Sequence, residues 1–231
     1  MILLRISGHS GAGKTRLVNA LPMFGINCPK VLRYTSRPPR QDELHGQDYY
    51  FMSRSFIEKL PDEDFLVGPV RNMVQAFDLN QLEIDLKGND IVIVEIYPDL
   101  WPRLMDKMHD RLGNKLKTAS VFMTAVDPEK IAALPDDVSR ASFIIEEVRR
   151  NITLRNMDTS TEIEIRASSA VKEIMQALGP AGSGMYDKIL HSAPEGPDGM
   201  DDWTREDRPV GQAKLAIGEF INFYAELRHQ S

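Results

Sequence analysis

The chain has 231 residues, a formal net charge of −6 and 42% hydrophobic side chains. That length holds one sizeable α/β domain with an insertion or an appendage. The acidic balance argues against broad binding to nucleic acid or to an anionic membrane, and leaves room for a local basic pocket. One cysteine, Cys28, excludes an intrachain disulfide, and fits a reducing compartment and a packing role. No apolar run reaches the length of a membrane span. Met1 to Ile6 is too short for a signal peptide, so the expected location is cytoplasmic.

In chain order, Ile2 to Ser7 reads as a buried strand of a parallel sheet, burdened by Arg5, which needs a partner. Gly13 to Leu21 reads as a helix stopped at Pro22. Between them stands Gly8-His9-Ser10-Gly11-Ala12-Gly13-Lys14-Thr15, a full G-x-x-x-x-G-K-[ST] spacing in the strand–loop–helix context it requires. Its glycines allow backbone N–H groups to turn toward phosphate oxygens. Lys14 is the candidate to neutralise β- and γ-phosphate charge, and Thr15 to offer a hydroxyl to Mg²⁺. ATP and Mg²⁺ are the cofactors expected.

Val31 to Ser36 is a second strand, Arg37 to Tyr50 a polar loop, and Ser53 to Leu60 a short helix capped by Ser53 or Ser55. Asp62 to Leu86 has a weak pattern, with helix over Asn80 to Leu86. Ile91 to Val94 is the clearest buried strand. It ends at Glu95, where a carboxylate could hold Mg²⁺ or simply be a solvated acid. Leu100 to Leu112 reads as a helix with Pro102 near its start, and Ala119 to Met123 as a strand. Asp127 to Asp158 is charged and mostly helical, best from Ser142 to Asn156. Glu162 to Ala167 reads as a last strand, and Ser169 to Leu178 as a helix ended by Gly179-Pro180. Strands alternating with helices imply an α/β fold, a parallel sheet with helices on both faces. Pro180 to Trp203 is rich in Gly, Pro and Asp and reads as a linker. Val210 to His229 is a helix carrying Leu215, Ile217, Phe220, Ile221, Tyr224 and Leu227. Such a tail covers the core, pairs two subunits as a homodimer, or reshapes an acceptor pocket.

Arg33, Arg37 and Arg40 put three guanidiniums into eight residues of an acidic chain. Guanidinium forks suit a second phosphate-bearing substrate, although a solvated basic loop is the plainer reading. The stretch from Thr35-Ser36-Arg37-Pro38-Pro39-Arg40 through Glu43, Gly46, Asp48, Tyr49 and Phe51 resembles the guanylate kinase signature T-T-R-x-P-R-x-G-E-x-x-G-x-D-Y-x-F. Ser36 and Asp42 are its two departures. The resemblance is good from Met1 to Phe65 and weak to Leu178.

It implies a nucleoside monophosphate kinase with a core (1–32, 87–126 and 159–179), a nucleotide-binding insert (33–86) and a lid (127–158), followed by a separate tail (180–231). It implies that Arg37, Arg40 and Tyr49 grip the acceptor phosphate and that Glu43 supports them; Arg33 and Tyr97, where this chain departs from the family pattern, are further candidates for the acceptor site. Arg140, Arg149, Arg150 and Arg155 are the lid candidates to reach ATP phosphates, Arg149 and Arg150 foremost. Val67 and Ala76 stand where the family carries guanine-reading groups, which puts GMP or dGMP specificity in question while leaving a phosphorylated acceptor. Arg33-Tyr34-Thr35-Ser36-Arg37 is similar to a stretch of ribose 1,5-bisphosphate phosphokinases. A third reading is a non-catalytic guanylate-kinase-like module that binds protein partners. The histidines show no metal spacing. Met23, Met52, Met73, Met105, Met108 and Met123 read as packing residues.

Overall fold

The computed structural model describes residues 1–40, 43–153, 159–179, 184–192, 202–203 and 209–230. Asp42, Arg155, the end of the expected helix at Asn156 and most of the stretch from Pro180 to Trp203 lie outside the described residues. In chain order the elements are β1 (Ile2–Gly8), α1 (Lys14–Ala20), β2 (Arg33–Thr35), β3 (Tyr50–Phe51), α2 (Arg54–Ile57), β4 (Phe65–Val70), β5 (Met73–Asp78), α3 (Leu79–Gly88), β6 (Ile91–Glu95) and α4 (Trp101–Leu112). There follow β7 (Lys117–Thr124), α5 (Pro128–Ala132), α6 (Asp137–Thr153), α7 (Ser160–Leu178), β8 (Lys188–His191) and α8 (Gly211–Gln230). The fold is mixed α/β, a sheet in the order β6-β1-β7-β8 flanked by helices, with a second sheet in the order β3-β2-β5-β4.

The chain divides into two compact units. The first comprises Met1–Arg5 and Cys28–Thr118. Its core joins Leu3, Val92 and Val94 to the apolar faces of α3 and α4. Leu104, Met105, Met108 and Leu112 form the α4 stripe, while Pro102 sits in the first turn, where its missing N–H costs nothing. Arg5 is buried and finds its partner in the Trp101 ring, 5.4 Å from the centroid. Ser53, not Ser55, caps α2 by accepting from the Phe56 N–H.

The weakly patterned stretch from Asp62 holds a hairpin, β4 paired antiparallel with β5 from Phe65↔Asp78 to Val70↔Met73. Gly68 and Pro69 hide its alternation in the sequence. Arg71, at φ 57°, supplies the left-handed residue that such a tight turn needs. β2 runs parallel to β3 and antiparallel to β5. Beneath this sheet Ile57, Val74 and Ala76 form a small core, with Tyr34, Met52, Leu60, Phe65 and Val67 packed against it.

The second unit comprises Ile6–Asn27 and Ala119–Gln230. Its core is built from Phe122, Val126 and the facing stripes of α6 and α7. Here the strand expected over Glu162 to Ala167 is instead part of the 19-residue helix α7. Ile163 and Ile165 imitate a two-residue alternation. The governing signal is a capping box, in which the Thr159 side chain accepts from Glu162 N–H and Glu162 reaches back to the Thr159 N–H. The buried set Ala167, Ala170, Ile174 and Ala177 then repeats at helical spacing. The stretch read as a linker contains β8, which pairs in parallel with β7 from Val121↔Lys188 to Thr124↔His191. Its turn-rich flanks masked a four-residue strand. In α8, Ala213, Ala216, Ile217, Phe220 and Leu227 are buried, whereas Leu215 is 60% exposed. Met23 is exposed rather than packed, while Met105, Met108 and Met123 are buried as expected. Among the described residues no helix is long and apolar enough to cross a membrane.

Candidate functional site

Two groups of residues carry the candidate chemistry, one in each unit. In the second unit the buried strand β1 delivers the chain into the glycine loop, and α1 leaves from Gly13, whose φ of 82° suits only glycine comfortably. Gly8 is equally constrained, because a Cβ there would run into the Met123 carbonyl. Lys14 folds back so that its Nζ donates to the carbonyls of Gly8 at 2.5 Å and His9 at 2.8 Å. Thr15 is exposed in the first turn of α1, so its hydroxyl fits the role of a Mg²⁺ ligand.

Every loop residue from His9 to Gly13 touches a different part of the unit. His9 is fully buried, and its Nε2 accepts from Ala125 N–H at 3.0 Å while Nδ1 lies 2.7 Å from the Ser10 carbonyl. The ring is therefore neutral, with its proton on Nδ1. Arg166, on α7, donates to Ser10 Oγ at 3.0 Å. The side chain of Ile152 lies against Gly11, and Ser192 Oγ donates to the Ala12 carbonyl at 2.7 Å. The Trp203 indole lies against Gly13. Of these, sequence reasoning missed Arg166, Ser192 and Trp203. The pattern Thr159-x-x-Glu162 was the available signal that would have put Arg166 on a helix.

In the first unit the signature folds into one cluster. Arg37 and Glu43 form a two-pronged ion pair, Nη1 to Oε2 and Nη2 to Oε1, both at 2.5 Å. The Arg40 backbone N–H donates to the same carboxylate at 2.9 Å, and the Arg40 guanidinium lies 3.7 Å from it. Burial alone would raise the Glu43 pKa. The hydrogen bonds from Arg37 and Arg40, with their charges, outweigh it and hold the carboxyl below its ordinary value. Burial would lower the Arg37 pKa, but Glu43 reverses this and the net direction is up.

The Tyr49 ring carries two cations, Arg33 at 4.9 Å and Arg37 at 5.0 Å from its centroid. Arg33 is itself buried. It donates to Tyr49 Oη at 2.8 Å and to Gln75 Oε1 at 3.4 Å. The buried carboxylate of Glu95 lies 3.0 Å from Lys30 Nζ and 3.6 Å from Arg33 Nη2. In this arrangement Glu95 balances two cations at the strand end, a task that sequence reasoning did not give it. Tyr97 is half-buried with the Arg71 guanidinium 5.8 Å from its ring centroid.

The lid candidates make ion pairs of their own. Arg149 pairs with Glu164 at 2.7 Å, Arg150 with Glu147 at 2.7 Å, and Arg140 with Asp137 at 2.9 Å; Arg149 and Arg150 are exposed and Arg140 is half-buried. Val67 and Ala76 face each other across β4 and β5. Cys28 is not a nucleophile: burial pushes its thiol up to about 12, only partly offset by a backbone hydrogen bond at Ile93.

Comparison with known proteins agrees with this geometry. Residues 1–72 match the family model for guanylate kinase. The guanylate kinase of Nitrosospira multiformis is 50% identical over 62 residues, which is 26% of this chain and 30% of that enzyme. The guanylate kinase of Chlamydia felis is 32% identical over 135 residues, 56% of this chain and 61% of that enzyme. The guanylate kinase of Nitrosomonas europaea is 25% identical over 194 residues, covering 75% of this chain and 94% of that enzyme. The fold matches the crystal structure of guanylate kinase from Anaplasma phagocytophilum with a TM-score of 0.55 and 17% identity, over 99% of this chain and 85% of that one. The likeness to guanylate kinases is thus concentrated in residues 1–72, which hold the phosphate loop and the Arg37–Glu43–Tyr49 cluster, and the chain has the guanylate kinase fold.

Proposed function

We propose that the protein transfers the terminal phosphoryl group of ATP to a phosphate group of a nucleoside monophosphate or a closely related acceptor. The observation that carries this reading is the pairing, in one chain, of an intact phosphate loop with the Arg37–Glu43 ion pair, Arg40 and the Tyr49 cation shelf. A lone nucleotide-binding module has no use for the second set.

In this reading an acceptor phosphate oxygen attacks the γ-phosphorus, the bond to the β,γ-bridging oxygen breaks, and ADP leaves with that electron pair. The attacking oxygen is already anionic at neutral pH, so no general base is required. Lys14 exchanges the Gly8 and His9 carbonyls for phosphate oxygens, which draws its charge onto the transferring group. Arg37 is held in place by Glu43 and spends little further entropy in binding an anion. Arg40, whose guanidinium lies 3.7 Å from Glu43, supplies a second cation for the same anion. Bound Mg²⁺ would supply charge neutralisation at the ATP phosphates, with Thr15 as the ligand that fits best. Glu95 is a poorer fit, its charge being balanced by Lys30 and Arg33.

GMP and dGMP are the first acceptors to try. The apolar pair Val67 and Ala76 offers no hydrogen bond to a guanine edge, at a cost of about 1–3 kcal/mol for each buried group left unpaired. That favours a modified nucleotide or, with Arg33 as an added cation, ribose 1,5-bisphosphate. The test is ADP release from Mg-ATP with these acceptors and the other monophosphates. One acceptor should stimulate release at least tenfold, and Arg40→Ala should abolish the stimulation. Nucleotide binding with no stimulation by any acceptor would reject the kinase and favour the protein-binding module.

A further inference from the structure

We propose that Trp203 is a positioning residue of the phosphate loop, and that it holds Gly13 and the start of α1 in their phosphate-binding shape. The proposal rests on the reading of that loop as the donor-phosphate site. A loop that turns its N–H groups inward needs contacts on its outer side to keep it there, because the inward conformation leaves the chain few bonds of its own. At Gly13 that contact is an indole: a Cβ on Gly13 would lie 2.9 Å from Trp203 Cζ2 and 3.1 Å from Nε1, so the ring edge occupies the space a side chain would take. Trp203 is 4% exposed, and its ring has two rotatable bonds, which makes it a stiff wedge.

The wedge is itself anchored. The Asp202 carbonyl accepts from Val210 N–H at 2.7 Å, and its carboxylate accepts from Gln212 N–H at 3.1 Å, at the start of α8. The Gln212 side chain then donates to the His191 carbonyl at 2.9 Å. His191 precedes Ser192, whose hydroxyl holds the Ala12 carbonyl. Two neighbouring loop residues are thus gripped from the carboxy-terminal part of the chain. Ala213, Ala216, Ile217 and Phe220 bury the helix that carries the grip.

The test uses the full chain with Trp203→Ala and Trp203→Phe. Hydrogen exchange at the amides of Gly8 to Thr15 should be at least tenfold faster in the Ala variant and close to wild type in the Phe variant, with the β4–β5 hairpin unchanged in both. The Kd for Mg-ATP should weaken about tenfold in the Ala variant and recover in Phe, a pattern that a general loss of stability would not give. A folded Trp203→Ala protein with wild-type loop exchange overturns the proposal. Should the Ala variant fail to fold, Trp203→Leu decides: faster exchange confined to Gly8 to Thr15 supports the proposal, and wild-type protection there overturns it. Loop exchange that responds to Trp203→Ala in a protein that never binds Mg-ATP rejects the donor-site reading and leaves the wedge standing.

Discussion

At the scale of single residues, Glu43 is the most informative side chain. It binds both prongs of Arg37 and an N–H of Arg40, so its carboxylate organises the cluster. Its folded pKa lies below the unfolded value of about 4.3. Its contribution to stability is therefore fully present above that pH and is lost as pH falls through the folded value. Glu43→Gln should lower the thermal midpoint relative to wild type at pH 7. The gap should close as both are taken to acid, and a gap that stays constant with pH would refute the assignment. Cys28 gives a second check. With its thiol pushed up to about 12, it should resist a disulfide reagent at pH 8 in the native protein and react fully in denaturant.

At the scale of elements, α7 is decided by its start. The Thr159 and Glu162 capping box supplies two otherwise orphaned N–H groups with partners. Thr159→Ala should cost about 1 kcal/mol, measured as a shift of the urea midpoint at constant slope. The same element shows what the sequence makes legible. β6 is an apolar run up to Glu95, β1 and β7 are mostly apolar despite Arg5 and Ser120, and the phosphate loop and the Arg37–Phe51 signature are read directly from residue types and spacing. Those features depend on local order. The hairpin at Phe65–Asp78 was obscured because Gly68 and Pro69 break its alternation, and α7 because Ile163 and Ile165 mimic a strand. β8 was hidden by turn residues on both sides. In the site, Arg37, Glu43 and Tyr49 could be grouped from the motif. The link from Glu95 to Lys30 and Arg33 could not, because it is made by tertiary approach across more than sixty residues. Ser192, Arg166 and Trp203 at the loop escaped for the same reason.

At the scale of the whole molecule, an acidic chain concentrates positive charge where the proposed chemistry needs it. Lys30, Arg33, Arg37 and Arg40 gather around Glu43 and Glu95, within a net charge of −6. Such a spot attracts a small phosphate ester while the surrounding surface repels long polyanions. The tail contributes to integrity as well. Ile217, Phe220 and Leu227 are buried, and each such side chain is worth about 1.5–3 kcal/mol against a total stability of about 5–15 kcal/mol. A chain ending at Ser192 should lose its sharp calorimetric transition. A retained transition at the wild-type temperature would show that α8 adds little to the fold.

The grip of Trp203 on Gly13 also has a consequence for biosynthesis. About 190 residues separate the two positions. At about 5–20 residues per second, the ribosome makes the loop roughly 10–40 s before it makes the residue that wedges it. During that interval the nascent chain carries a nucleotide motif without its outer support. ATP added to stalled nascent chains should therefore be retained only once residue 203 has cleared the exit tunnel.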